Sequence, residues 1–123
     1  RKTVTFDNDE FIRPETTTES LASLRAAFTK DGLVTAGNSS GINDGTASLV
    51  LANSSALETH KANPLARIIA YGFGGVPPRI MGMGPVPASK MALERAGLSV
   101  DDLDLVESNE AFAPTPIENN LTL

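Results

Sequence analysis

Residues 34–51, VTAGNSSGINDGTASLVL, decide how the rest of the chain is read. The first half sets Gly37, Gly41 and Gly45 among Asn38, Ser39, Ser40, Asn43 and Asp44, all small and rich in hydrogen-bonding groups. The second half, 46–51, is short, apolar and uncharged. Glycines let backbone approach a ligand or a second chain segment closely. Placed before a continuous apolar run, they predict a polar loop feeding a buried strand. By residue type alone the loop fits either a functional loop or an ordinary turn.

Upstream, residues 1–15 read as extended and polar, and the alternation of Thr3, Val4, Thr5 and Phe6 fits a short edge strand. Thr16 with Glu19 makes a capping-box pattern, and Leu21, Leu24 and Phe28 recur at helical spacing. Lys30 suits the negative end of a helix and Gly32 a left-handed stop, so a helix is expected over 17–29.

Downstream, Ser55 with Glu58 repeats the capping pattern and Pro64 ends the element, predicting a helix over 56–62. It carries the single histidine, His60, in a polar setting with no cysteine or second histidine for a metal site. No nucleophile stands near it for a general base to serve, so His60 reads as solvated. Residues 66–71 form a second strand candidate, ended by Gly72, Gly74, Gly75 and the pair Pro77 and Pro78. The prolines around 81–85, MGMGP, exclude a helix interior there. Met81 either lines an apolar pocket or fills a core gap.

A helix over 87–96 places Ala88, Met91, Ala92 and Ala96 on one face. Gly97 suits the left-handed residue after it, with Leu98 closing back on Leu93. A one-turn capped element at 99–102 and a strand at 103–107 come next, leading into Asn109, Glu110, Ala111 and Phe112. Functional groups gather at such strand ends in open α/β sheets. Asn109 offers two amide donors and Glu110 several acceptor sites, a pair that serves turns as well as sites.

Composition bounds the function. The 123 residues carry a net charge of -5, with 41% hydrophobic residues, a mean hydropathy of -0.06 and a pI near 4.7. This suits one soluble globular domain. Five Phe, one Tyr and no Trp leave the core to Leu, Ile, Val and Ala. Lys and Arg are scattered without a basic stripe, against nucleic-acid binding. No apolar run approaches the ~18 residues of a membrane span. The opening RKTVTFDNDE lacks the apolar core of a signal peptide and reads as mid-protein sequence. Cysteine is absent, which removes disulfides, thiolate metal sites and thiol nucleophiles. The sequons at Asn38, Asn53 and Asn120 have no secretory context, and the glycine loop lacks the Gly-Lys-Ser/Thr ending of a P-loop.

Four stretches in order carry a family resemblance: 11–32, FIRPETTTESLASLRAAFTKDG; 35–45, TAGNSSGINDG; 81–97, MGMGPVPASKMALERAG; and 102–113, DLDLVESNEAFA. Together they resemble the thiolases, the acyl-CoA acetyltransferases. The resemblance implies an α/β fold, part of a layered αβαβα core, with strands near 46–51, 66–71 and 103–107 paired in one sheet. It implies residues 1–32 as the end of a loop domain covering coenzyme A and 33–113 as the start of the C-terminal domain. Residues 114–123 depart as a tail, because Pro114 and Pro116 stand where the family continues into a helix.

The resemblance also assigns positions. Arg13 and Ser20 match residues beside the adenosine part of CoA, while Ala36 and Ser40 match contacts to pantetheine. Met81 matches a methionine of the acyl pocket. Asn109 matches the residue holding the water of an oxyanion hole, and Ala111 and Phe112 match positions packed against pantetheine and the acyl end. The implied ligand is coenzyme A or an acyl-CoA substrate, with no metal. The implied partners are further copies in a homo-oligomer or the missing half of the fold, with no nucleic acid and no membrane. The implied location is the cytoplasm, or a mitochondrial or peroxisomal matrix. The family works through an acyl-enzyme on one cysteine, a second cysteine as acid and base, and a histidine motif, none of which occurs here. A piece of an acetyl-CoA acetyltransferase of fatty acid metabolism, inactive by itself and either a truncation, a proteolytic fragment or part of a longer chain, is therefore expected. The alternative is a non-catalytic module for CoA binding or assembly.

Overall fold

Thr17 opens the first helix, α1 (Thr18–Ala22), through a reciprocal cap. Its hydroxyl accepts from the Ser20 amide at 3.2 Å, and the Ser20 hydroxyl accepts from the Thr17 amide at 3.0 Å. The cap sits one residue later than the expected Thr16 and Glu19 pair. Glu19 stays in the first turn, where its own backbone amide and then the Thr17 hydroxyl hold its carboxyl below the ordinary value of 4.5.

The expected helix over 17–29 stops at Ala22. Its continuation is taken by an antiparallel pairing of Ala26 with Thr35, in which the Ala27 amide donates to the Val34 carbonyl at 2.8 Å. An amide bonded across a turn is not free to bond four residues back, so the helix cannot pass this point. Gly32 supplies no left-handed stop; its amide closes a turn on the Thr29 carbonyl at 3.1 Å. Leu21 and Leu24 do share a face, and both lie over Gly37, whereas Phe28 is exposed. No strand forms at 3–6, where Val4 and Phe6 are exposed.

The computed structural model describes residues 2–122, so Leu123 of the tail lies outside it. The chain forms two compact units, Arg1–Gly37, which holds α1, and Asn38–Leu123. In the second unit α2 (Ser54–His60) is capped by Asn53, not Ser55; the Asn53 side-chain oxygen accepts from the Ala56 amide at 2.9 Å. A 3-10 turn at Pro78–Met83 comes next, bent at Ile80, in keeping with the prolines that exclude a helix interior there. Then comes α3 (Pro85–Ala96), which begins two residues before the expected 87 because a proline is tolerated in a first turn.

The end of α3 matches its expected form. Gly97 takes φ 67°, and the Leu98 amide donates to the Leu93 carbonyl at 3.0 Å. Ser99 caps the 3-10 turn Val100–Asp102. The last helix, α4 (Pro114–Thr122), overturns the expected non-helical tail. Both prolines fall in the first turn, where amides have no intrahelical acceptor, so neither removes a helix bond.

The core is small. The turn Pro78–Met83, α3 and α4 pack against one another, burying Val86, Thr115 and Asn119. Thr115 and Asn119, one turn apart on α4, share the inward face, and the Thr115 side chain lies against Gly82. Residues near 72–74 cross α3 at its small residues. A Cβ on Gly72 would overlap the Ala88 carbonyl and come 2.8 Å from the Ala92 nitrogen, so only glycine permits the crossing.

The strand expectations need correction. Among the described residues there are only two isolated antiparallel bridges, Ala26 with Thr35 and Ser39 with Phe112. Residues 46–51, 66–71 and 103–107 form no β-pairing among the described residues. Val50 is 96% exposed, Ile68 69% and Leu105 83%. A strand exists through its ladder, and no neighbour within these residues supplies one. Among the described residues no helix is long and apolar enough to cross a membrane.

Candidate functional site

Two segments far apart in sequence meet in the second unit. Ser39 pairs antiparallel with Phe112. On either side, the Ser40 amide donates to the Ala111 carbonyl at 3.0 Å and the Ala113 amide donates to the Asn38 carbonyl at 3.0 Å. The Ser40 hydroxyl adds a bond to the Glu110 carbonyl at 2.8 Å. Residues 38–40 of the glycine-rich loop and 110–113 of the ESNEAFA stretch are thereby fixed edge to edge.

Local structure explains why this edge holds. The Ala111 amide donates to the Asn109 carbonyl at 3.1 Å, so the chain turns sharply just before the pairing. The Thr115 amide donates to the Phe112 carbonyl at 3.0 Å, starting α4 just after it. Asn38, Ser39, Ala111 and Phe112 are half-buried, while Ser40, Asn109 and Glu110 are exposed at the rim. Asn109 is exposed, and its carboxamide carries two N–H donors. Ser40 has committed its hydroxyl proton to Glu110, so toward a ligand it can only accept.

Of the expected site residues, Ser40, Asn109, Ala111 and Phe112 are brought together by this pairing. Met81 lies on the turn Pro78–Met83, which packs on α4, and is 58% exposed. The others belong to the first unit. Arg13 is exposed at a turn closed by the Thr16 amide on its carbonyl at 3.2 Å. Ser20 has its hydroxyl engaged in the α1 cap, where it also donates to the Thr17 carbonyl at 2.8 Å. Ala36 is exposed in the turn beside Gly37. His60 ends α2 and is exposed. Sequence reasoning missed the Glu110 carbonyl as the partner of Ser40. A backbone acceptor 70 residues away leaves no trace in residue type.

The comparisons agree with one another. The model of the thiolase N-terminal domain matches residues 1–55, and that of the thiolase C-terminal domain matches 62–123. The chain is 57% identical over 113 residues to the acetyl-CoA acetyltransferase of Escherichia coli K12, covering 92% of this chain and 29% of that protein. Among solved structures it resembles human mitochondrial 3-ketoacyl-CoA thiolase in complex with CoA, with TM-score 0.81 and 45% identity over 96% of this chain and 30% of that one. It also resembles the dimeric peroxisomal thiolase of Saccharomyces cerevisiae, with TM-score 0.79 and 46% identity over 87% of this chain and 28% of that one. The chain thus spans under a third of the length of the relatives it matches.

Proposed function

The chain belongs to the thiolase family, with its α/β fold, and we propose that its paired loops form a coenzyme A-facing surface used in acyl transfer between CoA thioesters. The observation that carries this is the fixing of 38–40 against 111–113. It sets an exposed acceptor, Ser40, and an exposed two-donor amide, Asn109, on one edge with the apolar Ala111 and Phe112. A pantetheine arm has that mixed character, with amides along an otherwise apolar chain. In this reading Ser40, Ala111 and Phe112 of the second unit meet pantetheine and Met81 the acyl end, while for Arg13, Ser20 and Ala36 the family resemblance alone suggests contacts to CoA. Asn109 holds a water at an oxyanion hole, where preorganised donors act on developing charge. No metal enters this reading.

The 123 residues contain no cysteine, so by themselves they form no thiol acyl-enzyme, and a thiolysis assay on the purified chain is expected to show no turnover. Turnover lost in Asn109→Ala would contradict that. A second reading is a non-catalytic module for CoA binding or assembly. The exposed apolar run at 46–51 favours association with further copies; a compact monomer in sedimentation across a wide concentration range would oppose it. The location that goes with this function is the cytoplasm or a mitochondrial or peroxisomal matrix, which tagging in the source cell would test.

Calorimetry with CoA tests the ligand. An open surface buries too little of the ligand for tight binding, so a Kd weaker than about 1 μM is expected. It should weaken further in Ser40→Ala and Arg13→Ala. Submicromolar binding, or binding indifferent to both substitutions, would overturn the assignment.

A further inference from the structure

Ser40 makes two bonds to the facing segment. Its amide donates to the Ala111 carbonyl at 3.0 Å and its hydroxyl to the Glu110 carbonyl at 2.8 Å. These carbonyls belong to the two residues immediately after Asn109. The Ala113 amide anchors the other end on Asn38 at 3.0 Å. The turn carrying Asn109 is itself closed by one local bond, from the Ala111 amide to the Asn109 carbonyl at 3.1 Å. Glu110 is exposed, and it is the backbone of this residue that meets Ser40.

We propose that Ser40 is a positioning residue whose hydroxyl clamps the peptide after Asn109 and so fixes the backbone from which the Asn109 carboxamide projects. The clamp rests on the reading of Asn109 as an oxyanion-hole residue only for its purpose, not for its existence. Antiparallel pairing by a single bridge leaves a short ladder free to fray, and the hydroxyl bond adds a side-chain tie across it. It falls on the Asn109 side of the bridge, where fraying would move that backbone. Alanine keeps the backbone bonds and removes this one; threonine keeps the hydroxyl.

Amide hydrogen exchange on the 123-residue chain, with NMR of the Asn109 and Glu110 backbone amides, tests this without any ligand. In Ser40→Ala, exchange at position 40 and at Ala113 should quicken about fivefold, the scale of one net hydrogen bond. The backbone amide signals of Asn109 and Glu110 should shift toward their random-coil positions. Ser40→Thr should restore both, and exchange at Leu93 and Ala96 in α3 should be unchanged throughout. Unchanged exchange at 40 and 113, or unmoved Asn109 and Glu110 signals, in Ser40→Ala would overturn the clamp. So would threonine behaving as alanine does, or equal quickening in α3. Failure to bind CoA would leave these readouts intact and would count against the ligand assignment alone.

Discussion

Arg95 donates from Nη1 to the carbonyl oxygen of Tyr71 at 2.8 Å, and its guanidinium carbon stands 5.3 Å from the centre of the Tyr71 ring. One side chain at the end of α3 thus grips the preceding segment by backbone and by ring face. Tyr71 in turn stacks on Phe73, with ring centres 6.5 Å apart. Arg95→Ala is expected to cost about 1 kcal/mol, since the residue is exposed and both contacts are weakened by solvent. Arg95→Lys should recover less than half, lacking the planar fork. Urea midpoints measure this, and an unchanged midpoint in Arg95→Ala would rule out the grip.

The crossing at Gly72 predicts a contrast between neighbouring glycines. Gly72→Ala drives a methyl into the backbone of α3 at Ala88 and Ala92 and should destabilise by about 1–3 kcal/mol. Gly75→Ala meets nothing within 4 Å and should stay within about 0.5 kcal/mol of the parent. Thermal or chemical melts of both variants decide it. Equal effects would show that the segment does not lie on α3 as described.

Asp102 caps the turn after α3. The Ser99 amide donates to its carboxylate at 2.8 Å and the Ser99 hydroxyl at 2.7 Å. These bonds, the backbone one first, hold its pKa below the ordinary 3.8. A depressed carboxyl stabilises the fold above its unfolded pKa and loses that contribution as pH falls through the folded pKa. Carbon-13 titration should therefore place the Asp102 midpoint below 3.8, and Ser99→Ala should raise it part of the way back. A midpoint at or above 3.8 in the parent would contradict the cap.

Legibility in the sequence depends on the range of the interactions. Gly97 and Leu98 announce the end of α3 because a left-handed stop is a local demand on one residue. The first-turn prolines of α4 are readable in principle, but Pro116 weighs against a helix only if the helix starts earlier than it does. Helix α1 ends early through the pairing of Ala26 with Thr35, a contact without a local signal. The expected strands over 46–51 and 66–71 rest on apolar runs, and such runs describe a buried place that only a neighbour can provide. At the site, residue types mark Ser40 and Asn109 separately. Their approach through the Glu110 carbonyl belongs to tertiary structure alone.

The edge joining 38–40 to 109–113 is proposed to face coenzyme A. Titrating CoA into the isotope-labelled chain and following its amide resonances tests it most directly. Fast-exchange shifts concentrated at Ser40, Ala111, Phe112 and the Asn109 side chain are expected, with α2 (Ser54–His60) unmoved. Shifts confined to α2, or none at millimolar CoA, would contradict it.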